Sequence, residues 1–215
     1  MSDTVLIPGG RDVRATLDTA GSDGSAAAGT ADATVDAVVV ACPPHPRHGG
    51  HRGDGRLTAV SDALTARGID CLRFDYGEYD EGYGECTDAD NAVGWALDRY
   101  ERVGLFGYSF GGTVALVTAG SRPELAGVCA LAPTARLNPD VDAVAALDDL
   151  ATRGAPVRVV YATRDSTADW EPVVERAEEL GVETVEFESD HFFVGRTDDV
   201  AGAVADFLAP RLRAE

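Results

Sequence analysis

An α/β fold, built on a mostly parallel, doubly wound sheet with helices on both faces, is what this sequence predicts, and three observations predict it. From Ala37 onward, apolar runs of strand length alternate with stretches of helical length, the pattern of parallel strands joined by right-handed crossovers. One strand-to-helix junction carries a Gly-x-Ser-x-Gly string, Gly107 to Gly111. The 215 residues suit one domain with a large core, so a single domain over 1–215 is expected.

The elements follow in order. Two short strand-like stretches, Thr4 to Ile7 and Arg14 to Asp18, precede the polar, small-residue segment "TAGSDGSAAAGTADATVD", expected to be a flexible loop because two strands alone make no core. Then come "AVVVACPP", a helix over 54–67, "IDCLRFDY", a helix over 88–100, "RVGLFGYS" and a helix over 110–120. The alternation continues through "LAGVCALAP", a helix over 139–153, "PVRVVYATRD", a helix over 170–180, "VETVEFES" and a closing helix over 197–213. The link between "LAGVCALAP" and "PVRVVYATRD" has room for one crossover helix and none for a cap domain. Functional residues of such a sheet belong at the carboxyl ends of its strands.

Charge excludes some functions. There are 37 acidic and 18 basic residues for a net charge of -19, and every basic residue is Arg, with no Lys or Gln. Such a surface repels nucleic acid and anionic lipid. It is similar to the proteins of salt-accumulating halophiles. No apolar run approaches the ~20 residues of a membrane span, and the N-terminal "MSDTVLIPGG" is unlike a signal peptide, so a cytoplasmic protein is expected. Cys42, Cys71, Cys86 and Cys129 show no metal-ligand spacing and read as small core residues rather than a disulfide framework.

The Gly107-Tyr108-Ser109-Phe110-Gly111 string lies between a buried strand and a helix. That context forces Ser109 into a sharp turn, with glycines where a Cβ would clash and a helix N-terminus beside it to favour a developing anion. Ser109 is therefore the candidate nucleophile. It needs a base, and His191 in "SDHFF" is the only histidine after it; imidazole accepts and returns a proton near neutral pH. Phe192 and Phe193 are expected to anchor that loop in apolar surface. The imidazole needs a carboxylate, and Asp165 ends the strand "PVRVVYATRD"; Asp169 lies a turn further on and Asp190 is adjacent to the base. An oxyanion needs two backbone donors. Phe110, the residue after the nucleophile, is one. The loop "CPPHPRHGG" after the third strand supplies the other, and since Pro43, Pro44 and Pro46 have no N–H, His45 is the best donor and Arg47 the second. Tyr76, Tyr79 and Tyr108 are expected to line the substrate cleft.

Two cation readings are weaker. His45, His48 and His51 are spaced three apart, but prolines and glycines interrupt them, so loop architecture is expected and no metal. The acidic run Asp75 to Glu85 lacks EF-hand spacing and reads as a solvated loop beside the site. A dinucleotide site fails on glycine spacing.

The chain resembles the α/β-hydrolases, in particular the small capless serine enzymes of the dienelactone hydrolase-like group, from Val38 to about Leu208. "GYSFGG", "PPHPRHGG", "LRFDYGEYDEGYGE", "ATRD" and "SDHFF" carry the resemblance. Pro43 stands where the group often has histidine, Glu78 where it has arginine, and Ser109 where true dienelactone hydrolases have cysteine, which points away from dienelactone as substrate. The resemblance implies hydrolysis of a carboxylic ester or related acyl bond of a small molecule, with no cofactor, by a monomer or small homo-oligomer. Thioester hydrolysis or acyl transfer by the same residues, and noncatalytic ligand binding, are the alternatives.

Overall fold

Apolar strands need both faces covered, and the computed structural model, which describes residues 2–21 and 36–213, shows how this chain covers them. Eight strands form one sheet in the order β1-β2-β4-β3-β5-β6-β9-β10. These are β1 (Ser2–Ile7), β2 (Val13–Asp18), β3 (Ala37–Cys42), β4 (Asp70–Asp75), β5 (Arg102–Tyr108), β6 (Gly127–Leu131), β9 (Val157–Ala162) and β10 (Glu183–Phe187). β1 and β2 pair antiparallel, and β2 joins β4 antiparallel; from β4 through β3, β5, β6 and β9 to β10 every pairing is parallel. The expected flexible loop between β2 and β3 lies almost wholly outside the described residues.

The helices fall on two sides because strand side chains alternate. On one face Leu105 and Val128 pack with Trp95 of α2 (Tyr83–Leu97), Leu116 of α3 (Phe110–Gly120), Leu147 of α4 (Ala143–Thr152) and Val173 of α5 (Glu171–Glu179). On the other, Val39 and Phe106 pack with Leu57 and Leu64 of α1 (Gly55–Thr65) and with Val204 and Leu208 of α6 (Thr197–Leu212). At about 25 cal/mol per Å² of apolar area removed from water, these two layers hold the sheet rigid under its loops.

Two boundaries differ from expectation. α2 starts at Tyr83, not near residue 88, because the Glu85 carboxylate reaches back to the N–H of Gly82 at 2.8 Å and of Asp80 at 3.0 Å, satisfying donors at the helix start. Glu85 is fully buried, so the run Asp75 to Glu85 is not solvated throughout: its end is a helix cap. Between β6 and α4 the chain makes a small antiparallel pair, β7 (Arg136–Asn138) with β8 (Val141–Asp142), and Asp142 then caps α4 through the N–H groups of Val144 and Ala145. No cap domain sits in this connection.

β3 is the point where strand order reverses, with β4 on one side and β5 on the other. The loops leaving β3 and β5 therefore diverge to opposite faces and open a crevice at their carboxyl ends. Cys42 at the end of β3 is in register with Gly107 near the end of β5, which brings the "CPPHPRHGG" loop against Ser109. Among the described residues, no helix is long and apolar enough to cross a membrane.

Candidate active site

Ser109 is the single residue between β5 and α3, at φ 58° and ψ −123°. A non-glycine residue in this region is strained, and local bonds hold it there. Its N–H donates to the carbonyl of Leu131 at 2.7 Å, and its own carbonyl accepts from Gly112 at 2.8 Å. The neighbouring glycines are sterically required. A Cβ on Gly107 would fall 1.9 Å from the carbonyl oxygen of Gly111, and a Cβ on Gly111 would fall 2.4 Å from the carbonyl oxygens of Cys42 and Pro43.

The three side chains expected together are together. His191 Nε2 lies 2.9 Å from Ser109 Oγ, and His191 Nδ1 lies 2.6 Å from Asp165 Oδ2. The other oxygen of Asp165 accepts from the N–H groups of Thr167 at 2.8 Å and Ala168 at 3.0 Å. Burial pushes this carboxyl up, but the His191 ring and the two backbone donors outweigh it and hold its pKa below the usual carboxylate value. Asp165 is thus ionised at neutral pH and aimed at Nδ1, which fixes Nε2 as the nitrogen free to take the serine proton. The acid sits three residues beyond the end of β9, in the turn rather than in the strand. Asp190 spends a carboxylate oxygen on the N–H of Phe192, and the Asp169 backbone bonds to residues of the 134–135 turn.

The base loop is pinned differently from expectation. Phe193 is fully buried, edge-on to Phe187, whereas Phe192 is 52% exposed and meets the His191 ring edge-on at 5.4 Å. One phenylalanine anchors the loop and the other walls the cleft, because Phe193 takes a left-handed φ of 53° that turns the chain between them. The second anchor is Tyr108, whose hydroxyl donates to the His191 carbonyl at 3.0 Å.

Phe110 opens α3, so its N–H has no partner within the helix and is available beside Ser109. The "CPPHPRHGG" loop folds into a 3-10 turn over Pro46–His48, with the His45 carbonyl accepting from His48 and Gly50. The Arg47 N–H is turned to His45 Nδ1 at 3.2 Å, which removes it as an oxyanion donor and leaves the His45 N–H as the candidate. Burial, and secondarily His48, lower the pKa of His45. Its ring stacks on His48 at 4.4 Å and on Tyr79 at 5.1 Å, while His51 accepts from Gly53. Among the described residues no group of three or more His, Cys, Asp or Glu is placed to hold a metal ion.

Of the three cleft tyrosines, Tyr79 is part-exposed in the His45 stack. Tyr76 is not at the cleft: its hydroxyl is buried, and its ring packs behind Phe110 and against Phe74. Tyr108 touches the cleft but is only 1% exposed, because the alternation of β5 puts it with Phe106 on the α6 face; it supports the base more than it meets a substrate. The cleft, about 270 Å³, is bounded by Ser109 and His191, by His45, His48 and Gly50 of the β3 loop, and by four residues not foreseen there, Asp54, Arg56, Thr167 and Phe192. Their adjacency comes from three separate loops, so no local sequence signal marks them.

The fold is that of the α/β serine hydrolases. An α/β serine hydrolase homologue of Coxiella burnetii superposes with a TM-score of 0.76 at 22% identity, covering 95% of this chain and 96% of that one. A lidless α/β serine hydrolase of Xanthomonas campestris gives 0.78 at 21%, covering 100% and 96%, and an esterase of Pyrococcus furiosus gives 0.78 at 18%, covering 99% and 92%. By sequence, an uncharacterised protein of Rickettsia prowazekii is 24% identical over 189 residues, 80% of this chain and 78% of its own. No family model matches the chain.

Proposed function

We propose that this protein is a serine hydrolase that cleaves a carboxylic ester, or a related acyl bond of a small substrate, through an acyl-enzyme. The observation that carries the reading is the unbroken hydrogen-bonded series Ser109–His191–Asp165 at the strand-order reversal. The fold neighbours described as serine hydrolases and esterases support it.

In this reading Ser109 Oγ attacks the acyl carbon while His191 Nε2 takes the hydroxyl proton. The carbonyl oxygen becomes an oxyanion that accepts from the N–H groups of Phe110 and His45 at the positive end of α3. The imidazolium is held by Asp165, whose carboxylate is kept ionised by the hydrogen bonds it accepts from His191, Thr167 and Ala168. His191 gives its proton to the leaving alcohol, the carbon–oxygen bond breaks, and Ser109 carries the acyl group. Water then attacks the ester carbon, again losing a proton to His191, and the acid leaves as Oγ regains its hydrogen.

The test is active-site labelling: a fluorophosphonate probe is expected to modify the native protein at Ser109 and to leave Ser109→Ala unlabelled. Equal labelling of the variant overturns the assignment.

A further inference from the structure

We propose that Arg56 selects the substrate: the cleft takes acyl groups that carry an uncharged oxygen acceptor, such as an ether, hydroxyl or carbonyl oxygen, close to the scissile carbon. The inference rests on the hydrolase reading above and adds a substrate class to it.

Arg56 stands in the first turn of α1 and lines the same cleft as Ser109 and His191. Its guanidinium lies over the ring of Tyr108, 4.6 Å from the centroid, and the same ring is 5.5 Å from that of His191. Arg56 and His191 thus lie against one aromatic ring and line one cleft. Asp54 holds the guanidinium through Nη2, while its other oxygen caps α1 at the Arg56 N–H. Nε is buried without a hydrogen-bond partner, and among the described residues no hydrogen bond is made by Nη1. The side chain lines the cleft and remains 21% exposed, a charged group with N–H capacity that the protein itself leaves unspent. Apolar contact comes from Phe192, which is exposed and lines the same cleft.

Charge decides between an anionic and a neutral acceptor. Asp54 already neutralises Arg56, and a second carboxylate at the guanidinium would lie against that one. The net charge of -19 opposes an anion's approach as well. A neutral oxygen meets neither penalty and still receives a hydrogen bond from a charged donor.

The experiment compares p-nitrophenyl butyrate with its isostere p-nitrophenyl methoxyacetate and with the p-nitrophenyl monoester of succinate, each kcat/KM divided by the hydroxide-catalysed rate of the same ester. The wild type is expected to favour the methoxyacetate over the butyrate roughly tenfold beyond hydroxide, the size of one hydrogen bond to a charged donor, and to favour it over the succinate. Arg56→Met is expected to bring the first ratio to about 1, whatever its absolute turnover of the butyrate, because the ratio is taken within one variant. No excess preference in the wild type overturns the proposal without recourse to a variant, as does a preference that survives in Arg56→Met. A succinate preference overturns the neutral-acceptor assignment. Turnover of none of the three overturns the hydrolase reading itself, and this proposal with it.

Discussion

The hydroxyl of Tyr108 donates to the backbone carbonyl of His191 at 3.0 Å, so the residue before the nucleophile holds the residue proposed as its base. The two are 83 positions apart in the chain, and a rigid strand supplies the anchor. Tyr108→Phe keeps the ring under Arg56 and removes only this bond. We expect a fall of about 3- to 10-fold in kcat with KM nearly unchanged, since a neutral hydrogen bond is worth about 0.5–1.5 kcal/mol. Steady-state kinetics on p-nitrophenyl acetate check it, and an effect confined to KM would count against a positioning role.

The turn at Ser109 depends on what its neighbours lack. Gly111→Ala would place a methyl 2.4 Å from the carbonyl oxygens of Cys42 and Pro43, pushing α3 away from the β3 loop that is to bind the oxyanion. Overpacking of this kind costs about 1–3 kcal/mol. Thermal unfolding is expected to show a lowered midpoint, with activity lost more completely than stability. A variant of wild-type stability and activity would show that this contact is not needed.

Asp165 links the site to pH. Its folded pKa lies below the ordinary value of 3.8, so its ionised form stabilises the fold above the unfolded pKa, and that stabilisation is lost as pH falls through the lower folded value. Asp18, held by Arg73, Ser61 and Ser2 against the opposing effect of burial, shares the sign. Urea unfolding from pH 7 to pH 3 is therefore expected to weaken below about pH 4, and Asp165→Asn should lose less stability across that interval than the wild type. Parallel curves for the two proteins would sever the link.

The thiols are expected to be silent. Burial pushes Cys71, Cys86 and Cys129 up to about 12 and Cys42 higher still, leaving almost no thiolate at neutral pH. A chromogenic disulfide reagent should titrate all four only after denaturation, and rapid reaction of the native protein would contradict this.

Salt should stabilise the fold. The Debye length falls from ~10 Å at 0.1 M to ~3 Å at 1 M, so repulsion among the carboxylates behind the charge of -19 is screened over that range. Circular dichroism melts in KCl from about 0.1 to 3 M, a range set by that screening, are expected to show a rising midpoint. A flat or falling series would remove the halophilic reading of the composition.

Much of the architecture was legible in the chain because its signals are local. The apolar runs mark β3, β4, β5, β6, β9 and β10, and nothing in them marks the short β7–β8 pair. The glycines around Ser109 mark a turn that no bulkier residues permit, and Asp165 and His191 are named by their place after the last two strands. Tertiary structure decided what depends on distant segments meeting. Whether a tyrosine reaches the cleft is set by which face of the sheet it occupies and what packs there: Tyr108 went to the α6 face and the His191 carbonyl, and Tyr76 behind Phe110. Glu85 reads as one more acid in an acidic run, yet it is buried by the backbone donors it satisfies. Arg56 has no motif around it, and the "SDHFF" string does not say which of its two phenylalanines is left at the cleft. Arg56 and Phe192 become cleft residues because strand order reverses at β3, and the crevice opened there draws its walls from loops that no short stretch of sequence contains together.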